Sequence, residues 1–215
     1  MSKEKKYIQN IRRDYLKSGL LESNILQNPI DQFSLWFNEA INGKVVDGNA
    51  MALSTISNNR AVSRIVLLKS FDENGFIFFT NYSSSKAREL AENNSASLLF
   101  YWAELERQVR IEGFITKISL KESDEYFHER PRESQIGAWA SRQSEVLESR
   151  EVLEQKFKRY EKEFAEKSVP LPPFWGGYIL KPDLFEFWQG RPNRLHDRII
   201  FKNNNLKWEI QRLYP

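Results

Sequence analysis

Apolar residues in the first quarter of the chain recur every three to four positions and predict one amphipathic helix. Asn28 offers a capping side chain, Pro29 suits a first helical turn, and Gly43 can end the helix. The apolar face of this helix consists of Phe33, Trp36, Phe37, Ala40 and Ile41. Residues 1–27 before it are polar and charged, and they predict a mobile N-terminal helix or arm.

Apolar runs between positions 50 and 119 predict strands, because they are rich in β-branched and aromatic residues. Turn signals such as Asp-Glu-Asn-Gly and Asn-Asn separate these runs, and one short helix, KARELAENN, interrupts them. The predicted strands are AMALSTIS, AVSRIVLLKS, GFIFFTN, ASLLFYW and ERQVRIEGFITKIS. Their connections are too short for repeated βαβ units, so the pattern indicates an antiparallel sheet or barrel.

The pattern turns helical and charged near 121–167, where two or three helices fit with a break near Arg130-Pro131. A stiff connection, SVPLPP, leads back to strands in FWGGYIL, LFEFWQG, RLHDRIIF and LKWEIQRL. Strands on both sides of a helical insertion predict one β-barrel that distant segments close. The fold class is therefore mainly β with helical additions (α+β), with a single domain over 28–215 behind the 1–27 arm.

Composition narrows the chemistry that such a barrel can carry. The chain has no cysteine and only two histidines, His128 and His196, which excludes disulfides, thiolate sites and a His-rich metal site, although carboxylates could still bind a hard cation. We accordingly predict no metal. The 15 Phe, 8 Tyr and 6 Trp can fill a core and can also provide flat walls for ring-shaped ligands.

Charge and hydropathy limit the partners. The 32 basic and 29 acidic residues are mixed along the whole chain, so the net charge of +3 favours an ordinary solvated surface over a nucleic-acid-binding face. The N-terminus, MSKEKKYIQNIRRDY, lacks an apolar core stretch, and no segment approaches the roughly 20 apolar residues that span a bilayer. We expect a soluble, cytoplasmic protein without nucleic-acid or membrane partners.

Two segments of the predicted sheet combine cations with other polar groups. In RIVLLK, a strand period of two places Arg64 and Lys69 on opposite faces, which indicates two ligands, a bulge or a half-buried strand with surface charges. From Thr80 to Lys86, hydroxyls and backbone amides at a helix start can bind a phosphate. The serines of this segment can equally serve as plain helix caps.

A third candidate segment is RLHDR. Strand alternation places Arg194, His196 and Arg198 on one face, roughly 7 Å apart at each step. Such a row of chargeable groups indicates either an anionic ligand or an exposed strand face. Trp188 can provide an aromatic wall near it.

A fourth candidate lies at the end of a predicted helix, where a tyrosine and an arginine four residues apart share one face. The side chains are Tyr126, Arg130 and Ser134. Together they can bind a phosphate, or they can belong to an ordinary exposed helix end. The Gly-rich dinucleotide motif GxGxxG is absent, which argues against a Rossmann cofactor domain.

Long stretches resemble the pyridoxine/pyridoxamine 5′-phosphate oxidase family over almost the whole chain. The matching stretches are RIVLLK, FFTN, LERQVRIEG, YFHERPRESQIGAW, SRQS, VPLPPFWGG, EFWQG, RLHDR and IQRLYP. The resemblance implies an FMN-binding split β-barrel and a homodimer with two FMN molecules at its interface. It also implies an FMN-dependent oxidoreductase of vitamin B6 salvage. Such an enzyme converts pyridoxamine and pyridoxine 5′-phosphates to pyridoxal 5′-phosphate, with dioxygen as acceptor and hydrogen peroxide as the second product.

The resemblance further implies site residues. FMN contacts fall on Arg64, Ile65, Val66, Leu67, Leu68, Lys69, Phe79, Thr80, Lys86, Gln108, Gln143, Ser144, Trp188 and Arg198. Substrate contacts fall on Arg12, Tyr15, Lys69, Tyr126, Arg130, Ser134, Arg194 and His196. Arg194 and His196 would lie beside the reacting carbon as catalytic residues, and Arg12 and Tyr15 would belong to an arm that folds over the substrate. The chain departs from the family at Ser85, where an arginine usually precedes the lysine of the FMN phosphate loop.

Three other interpretations compete with this one. A flavin enzyme of the same barrel that acts on another ring is disfavoured by the substrate-phosphate set around Arg130. A non-catalytic pyridoxal phosphate or flavin binding protein is disfavoured by Arg194 and His196. A basic nucleic-acid-binding domain would show steep salt dependence of DNA affinity, and the balanced charge argues against it.

Overall fold

The computed structural model describes residues 7, 14–17, 19–204 and 207–215. Within them, the α-helices are α1 Pro29–Asn42, α2 Ser85–Glu92, α3 Leu120–Glu129, α4 Arg132–Ala140 and α5 Arg150–Glu163. The strands are β1 Ala50–Ser57, β2 Arg60–Leu67, β3 Ser70–Asp72, β4 Gly75–Asn81, β5 Ser95–Trp102, β6 Arg107–Lys117, β7 Trp175–Gln189, β8 Asp197–Asn204 and β9 Lys207–Leu213. No helix in the described part of the chain is long and apolar enough to cross a bilayer.

Helix α1 begins and ends where its sequence predicts. The Asn28 side chain accepts a hydrogen bond from the Ile30 amide at 2.8 Å, Pro29 occupies the first turn, and Gly43 is the C-terminal cap. The predicted apolar face is wrong at one residue, Ile41, which is 47% exposed. Ile41 lies at the border of the helical stripe, and Gln32 is buried on the other side, where its side-chain oxygen accepts from the Leu26 amide.

Packing divides the chain into two compact units, of which the larger comprises Asn49–Leu99 and Ile111–Asp183. Its strands follow the order β2-β1-β5-β6-β7-β4-β3, and the pairs β1–β2, β1–β5, β3–β4 and β4–β7 are antiparallel. Alternate residues such as Leu53, Phe76, Phe78 and Leu98 are fully buried, as strand periodicity requires. A second apolar cluster packs among the helices; it contains Phe127, Ile136, Phe164, Val169 and Trp175.

The smaller unit comprises Met1–Gly48, Phe100–Arg110 and Leu184–Pro215. Here the final residues of β7 pair with β8, and β8 pairs with β9, both antiparallel. Its core is aromatic: Phe33, Phe187 and Phe201 are fully buried, and Trp36 packs edge-on against Phe187 at 5.3 Å between ring centroids. The predicted division into a 1–27 arm and a single 28–215 domain stays a prediction.

Two predicted strand boundaries are wrong. FWGGYIL and LFEFWQG form one continuous strand, β7, through Lys181-Pro182-Asp183. Gly113 on β6 permits this close approach, since a Cβ there would lie 2.0 Å from the Lys181 carbonyl oxygen.

The other wrong boundary concerns RLHDR. Strand β8 begins only at Asp197, and Pro192–Arg194 form a 3-10 turn instead. Asn193 and Arg194 adopt positive φ angles of 58° and 62° in this turn. The predicted alternation of Arg194, His196 and Arg198 along one strand face therefore fails, because turn geometry replaces the first half of that strand.

Candidate functional site

The larger unit contains a cavity of about 880 Å³, within the range of roughly 300–1,000 Å³ that small-molecule and cofactor sites occupy. It is lined by parts of β2, β4, α2, α3 and α4 and by the loop after α4. The cavity brings together thirteen of the predicted site residues: Arg64, Ile65, Val66, Leu67, Lys69, Phe79, Thr80, Lys86, Tyr126, Arg130, Ser134, Gln143 and Ser144. Leu68, also predicted, is instead buried in the core.

One end of the cavity holds two cations, Arg64 and Lys86. The Lys86 side chain is buried, and its Nζ donates to Thr80 Oγ1 at 3.1 Å and to Ser84 Oγ at 3.4 Å. Burial and the nearby Arg64 charge lower the pKa of Lys86, while Glu89 opposes this effect. A buried ammonium that meets neutral hydroxyls is well suited to an anionic ligand.

The start of α2 does not use the serine caps that the sequence allows. Ser84 is the N-terminal cap residue, but its side chain makes no capping hydrogen bond. Its hydroxyl instead accepts from Lys86. Plain capping by Ser84 is therefore not observed, and the phosphate-binding interpretation of this segment stays a prediction.

Aromatic rings form one wall of the cavity. Phe79 stacks on Tyr126 at 3.9 Å between centroids and on Trp175 at 5.4 Å. The Lys69 ammonium lies 6.0 Å from the centroid of the Tyr126 ring, and the Arg130 guanidinium lies 4.6 Å from that of Trp175. A flat wall with cations beside it can receive a planar ring that carries an anionic group.

Arg130 places a buried donor at this wall. Its Nη1 is buried and has no hydrogen-bond partner among the residues that the structure describes. Burial also lowers the pKa of Arg130. Since a guanidinium donor buried without an acceptor is costly, this position favours an acceptor from water or from an anionic ligand.

The prediction that Arg64 and Lys69 face opposite sides of one strand is wrong. Strand β2 ends at Leu67, and the Lys69 amide donates instead to the Ile77 carbonyl on β4 at 2.9 Å. The strict alternation stops where the strand stops, and both side chains line the same cavity.

The loop after α4 contributes Gln143 and Ser144. Gln143 Oε1 accepts from Thr80 Oγ1 at 3.1 Å and from the Asn81 amide at 3.4 Å, so the loop is tied to the end of β4. Ser144 has a φ of 73°, a left-handed conformation that is uncommon outside glycine.

Three predicted residues of the smaller unit form an aromatic cluster. His196 lies 4.6 Å from Trp188 and 5.5 Å from Tyr15 between ring centroids, and Tyr15 meets Trp188 edge-on at 5.6 Å. The Arg191 amide donates to His196 Nδ1 at 3.1 Å. In the neutral imidazole the proton is therefore on Nε2. Burial and the Arg194 charge lower the pKa of His196, which favours this neutral form; Asp197 acts in the opposite direction.

The segment around Tyr15 is fixed by hydrogen bonds to its backbone. The amides of Leu16 and Lys17 donate to Glu106 Oε2 at 3.0 and 3.1 Å. Gly190 allows the ring to approach, because a Cβ there would lie 2.6 Å from Tyr15 ring atoms. Arg12, the other predicted residue of the arm, lies outside the described residues.

Arg198 and Gln108 complete the predicted set. Arg198 Nε donates to Glu186 Oε1 at 2.7 Å, and Arg110 Nη2 donates to Glu186 Oε2 at 2.7 Å. Burial alone would raise the pKa of Glu186, but the hydrogen bonds from Arg198 and Arg110 outweigh it and the pKa is lowered. Gln108 is half-buried on β6.

The sequence interpretation missed several residues at the cavity. Among them are Thr55 and Glu89, which contact Arg64, and Trp175, which extends the aromatic wall. Only Glu89 had a usable signal, since it follows Lys86 by three positions and therefore shares its helix face. In the described part of the chain, no three His, Asp or Glu side chains group closely enough to hold a metal ion.

Two family models together match most of the chain. A family model described as pyridoxamine 5′-phosphate oxidase matches residues 37–163, and one described as the pyridoxine 5′-phosphate oxidase C-terminal dimerisation region matches 175–215. The pyridoxine/pyridoxamine 5′-phosphate oxidase of Cyanothece sp. is 50% identical over 209 residues, covering 97% of this chain and 98% of that protein. That of Aliarcobacter butzleri is 52% identical over 210 residues, covering 97% and 99%.

Solved structures show the same fold. PhzG from Burkholderia lata, in complex with tetrahydrophenazine-1-carboxylic acid, has a TM-score of 0.86 and 31% identity, covering 91% of this chain and 98% of its own. A pyridoxamine 5′-phosphate oxidase-related, FMN-binding protein from Nostoc punctiforme has a TM-score of 0.69 and 17% identity, covering 89% and 100%, which supports the fold alone. The predicted fold class, a mainly β split barrel with helical additions, is confirmed.

Proposed function

We propose, from the premise that this chain belongs to the pyridoxine/pyridoxamine 5′-phosphate oxidase family, that it oxidises pyridoxamine and pyridoxine 5′-phosphates to pyridoxal 5′-phosphate. The family makes it an oxidoreductase. The finer assignment comprises the substrates, FMN as cofactor and dioxygen as acceptor. It rests chiefly on one observation, the buried Nη1 of Arg130, which has no acceptor among the described residues.

The substrate phosphate supplies that acceptor. Lys69, Tyr126 and Ser134 line the cavity together with Arg130, so two cations and two hydroxyls converge on one region. An arginine fork with an ammonium and hydroxyl donors is a strong phosphate-binding set. Phe79, Tyr126 and Trp175 provide the flat apolar surface that a pyridine ring needs beside its phosphate.

FMN fits the other end of the same cavity. Arg64, Lys86 and Thr80 would hold its phosphate, and Gln143 would contact it from the loop after α4. The buried Lys86 ammonium, whose hydrogen-bond partners are two hydroxyls, supports an anion at this end. FMN, when bound, supplies the two-electron acceptor, and dioxygen then takes the electrons to give hydrogen peroxide. Further FMN contacts are assigned to Ile65, Val66, Leu67, Lys69, Phe79, Gln108, Ser144, Trp188 and Arg198.

Arg194 and His196 are assigned to the reacting carbon. His196 is fixed by the Arg191 amide, so its Nε2–H is the group that it presents to a ligand. Arg194 is exposed, and its positive charge lies close enough to this imidazole to affect its pKa. Tyr15 packs against both His196 and Trp188, and we assign it and Arg12 to an arm that excludes water from the substrate.

We further propose a cytoplasmic homodimer with two FMN molecules, each contacted by both subunits. The match of 175–215 to a dimerisation region supports the dimer. A monomer in light scattering that still binds FMN and turns over substrate would contradict it.

The reaction is tested on the purified protein with added FMN. Anaerobic pyridoxamine 5′-phosphate should bleach the flavin absorbance, and air should restore it while pyridoxal 5′-phosphate and hydrogen peroxide accumulate. Unphosphorylated pyridoxamine is the matched control and should bleach it far more slowly, because Arg130 then lacks its acceptor. A protein that takes up no FMN, or that bleaches equally well with both amines, would contradict the proposal.

A further inference from the structure

A carboxylate lies at the cationic end of the cavity, where it opposes the binding of an anion. Glu89 is on the buried face of α2, three residues after Lys86, and is 8% exposed. Its Oε2 accepts a hydrogen bond from Arg64 Nη2 at 2.5 Å. The reaction proposed above assigns Glu89 no role, although a buried negative charge beside a phosphate site weakens that site.

The contacts of Glu89 fix the orientation of Arg64. Arg64 Nη1 donates to Thr55 Oγ1 and Nη2 to Glu89 Oε2, both at 2.5 Å, and Thr55 Oγ1 itself donates to Glu89 Oε2 at 2.5 Å. These three side chains close a triangle in which the guanidinium is held at two points. Because a guanidinium has five N–H donors, others remain for a ligand in the cavity.

Glu89 also balances charge between the two cations. Burial and the charge of Arg64 lower the pKa of Lys86, and Glu89 counteracts them. Without the carboxylate, the positive charges of Arg64 and Lys86 would repel each other with less screening than in bulk water. Glu89 therefore stabilises the end of the cavity before any ligand arrives.

We propose, on the basis of the function assigned above, that Glu89 is a positioning residue: it orients Arg64 toward the FMN phosphate and limits the affinity for FMN by its own charge. The two effects have opposite signs and can be separated. A substitution that keeps the hydrogen bonds but removes the charge should tighten FMN binding. One that removes both should lose part of the contribution of Arg64.

The first measurement is a fluorescence titration of the apoprotein with FMN at low and high salt. Glu89→Gln should bind FMN about threefold to tenfold more tightly than the wild type at low salt, with a smaller gain at high salt. Riboflavin affinity should not change, because riboflavin lacks the phosphate. Glu92→Gln, an exposed position on the same helix, is the control and should leave both affinities unchanged. Weaker FMN binding by Glu89→Gln would overturn the proposal.

The second measurement is a double-mutant cycle. Arg64→Ala should weaken FMN binding in the wild type and should weaken it several-fold less in the Glu89→Ala background, where Arg64 is no longer held. Equal losses in both backgrounds would overturn the positioning role. Thermal unfolding of each apoprotein verifies that the variants are folded. If Glu89→Ala does not fold, the isosteric Glu89→Gln still tests the charge effect through the first measurement.

Failure of the proposed function gives a different result. A folded wild type that binds neither FMN nor riboflavin would contradict FMN as cofactor and leave the Arg64–Glu89 contact to be probed with inorganic phosphate. Stronger thermal stabilisation of Glu89→Gln than of wild type by phosphate would support the role of Glu89. Equal stabilisation would overturn it.

Discussion

Two cations of the larger unit and two arginines of the smaller unit differ in how their charges are neutralised. In the larger unit, Arg130 has a buried Nη1 without an acceptor among the described residues, and Lys86 meets hydroxyl groups. In the smaller unit, Arg110 is paired with the buried carboxylate of Glu186, and Arg212 forms ion pairs with Glu22 and Asp197. Cations of the first kind are suited to an anionic ligand, whereas those of the second kind are paired with carboxylates of the protein itself.

The physical reason is the cost of desolvation. A buried charge loses its hydration free energy, and a counter-charge and hydrogen bonds from the protein must compensate for that loss. A paired arginine is therefore part of the scaffold, and its loss should appear in folding. An unpaired arginine lowers the stability of the apoprotein, and its loss should appear in ligand binding.

The largest effect is expected for Arg130→Met. The substitution removes a charge-assisted contact to the substrate phosphate, which should raise the KM for pyridoxamine 5′-phosphate roughly a hundredfold. The free energy of unfolding of the apoprotein should not fall, because an unsatisfied buried donor disappears while apolar packing on Trp175 is kept. Steady-state kinetics and urea unfolding check the two effects.

A matched control for Arg130 is Arg150→Met. Arg150 is exposed at the start of α5 and pairs with Glu154, which is also exposed, four residues away. Its loss should change neither KM nor stability measurably. If Arg130→Met destabilises the apoprotein and leaves KM unchanged, Arg130 belongs to the scaffold and the comparison fails.

The converse substitution is Glu186→Gln in the smaller unit. It leaves Arg110 and Arg198 without their shared counter-charge, while both arginines keep about a third of their side-chain surface exposed. We expect a loss of about 1–3 kcal/mol in the free energy of unfolding, below the full cost of breaking a buried pair. Urea unfolding measures it, with the exposed Glu209→Gln as control. Unchanged stability would mean that this pairing contributes nothing to the scaffold.

A smaller effect concerns the protonation of His196. Burial and the Arg194 charge lower the pKa of His196, so the neutral imidazole persists to more acidic pH than in an ordinary histidine. Arg194→Met removes the second cause, so the pKa should rise and the acid limb of kcat/KM should move to higher pH. The imidazole resonance of His196 reports this directly, with His128 as internal reference. An unmoved acid limb and resonance would contradict the electrostatic coupling.

Much of the fold follows from local sequence patterns, but contacts between distant segments do not. The ends of α1 are predictable because Asn28, Pro29 and Gly43 act on the adjacent backbone. The RLHDR error has a local cause as well: Pro192-Asn193 favours a turn with positive φ over a strand. The turn preference of Pro192-Asn193 outweighed the strand alternation of RLHDR. The hydrophobic pattern of the segment does not reveal this turn.

The candidate site likewise has residues that the sequence predicts and contacts that it does not. The family resemblance supplied the residues that line the cavity, yet the partners that orient them belong to other elements. Thr55 on β1 contacts Arg64 on β2 because the two strands pair in antiparallel register, which the sequence does not specify. Trp175 reaches Phe79 through the β4–β7 pairing, nearly a hundred positions apart in the chain.

The smallest expected effect is at Ser85, where this chain departs from its family. Ser85 is half-buried on the cavity wall, and its Oγ accepts from Arg88 Nη2 at 3.2 Å. An arginine at 85 adds one charge-assisted hydrogen bond to the FMN phosphate, reduced by partial solvent exposure to roughly 1 kcal/mol or less. Ser85→Arg should therefore tighten FMN binding by a few-fold, up to about fivefold, with turnover at saturating FMN unchanged.

The sign of this effect depends on whether the phosphate is already satisfied. A cation in the first turn of α2 is unfavourable for the helix dipole, so Ser85→Arg should slightly destabilise the apoprotein and gain only when FMN is bound. Ser83→Arg adds the same charge at an exposed position of the same loop and controls for general attraction of the anion. Fluorescence titration at low and high salt separates the two, because a direct contact keeps part of its gain under screening. FMN affinity in Ser85→Arg equal to or below that of Ser83→Arg would show that Lys86, Thr80 and Arg64 already satisfy the FMN phosphate. Position 85 would then offer no additional contact to that phosphate.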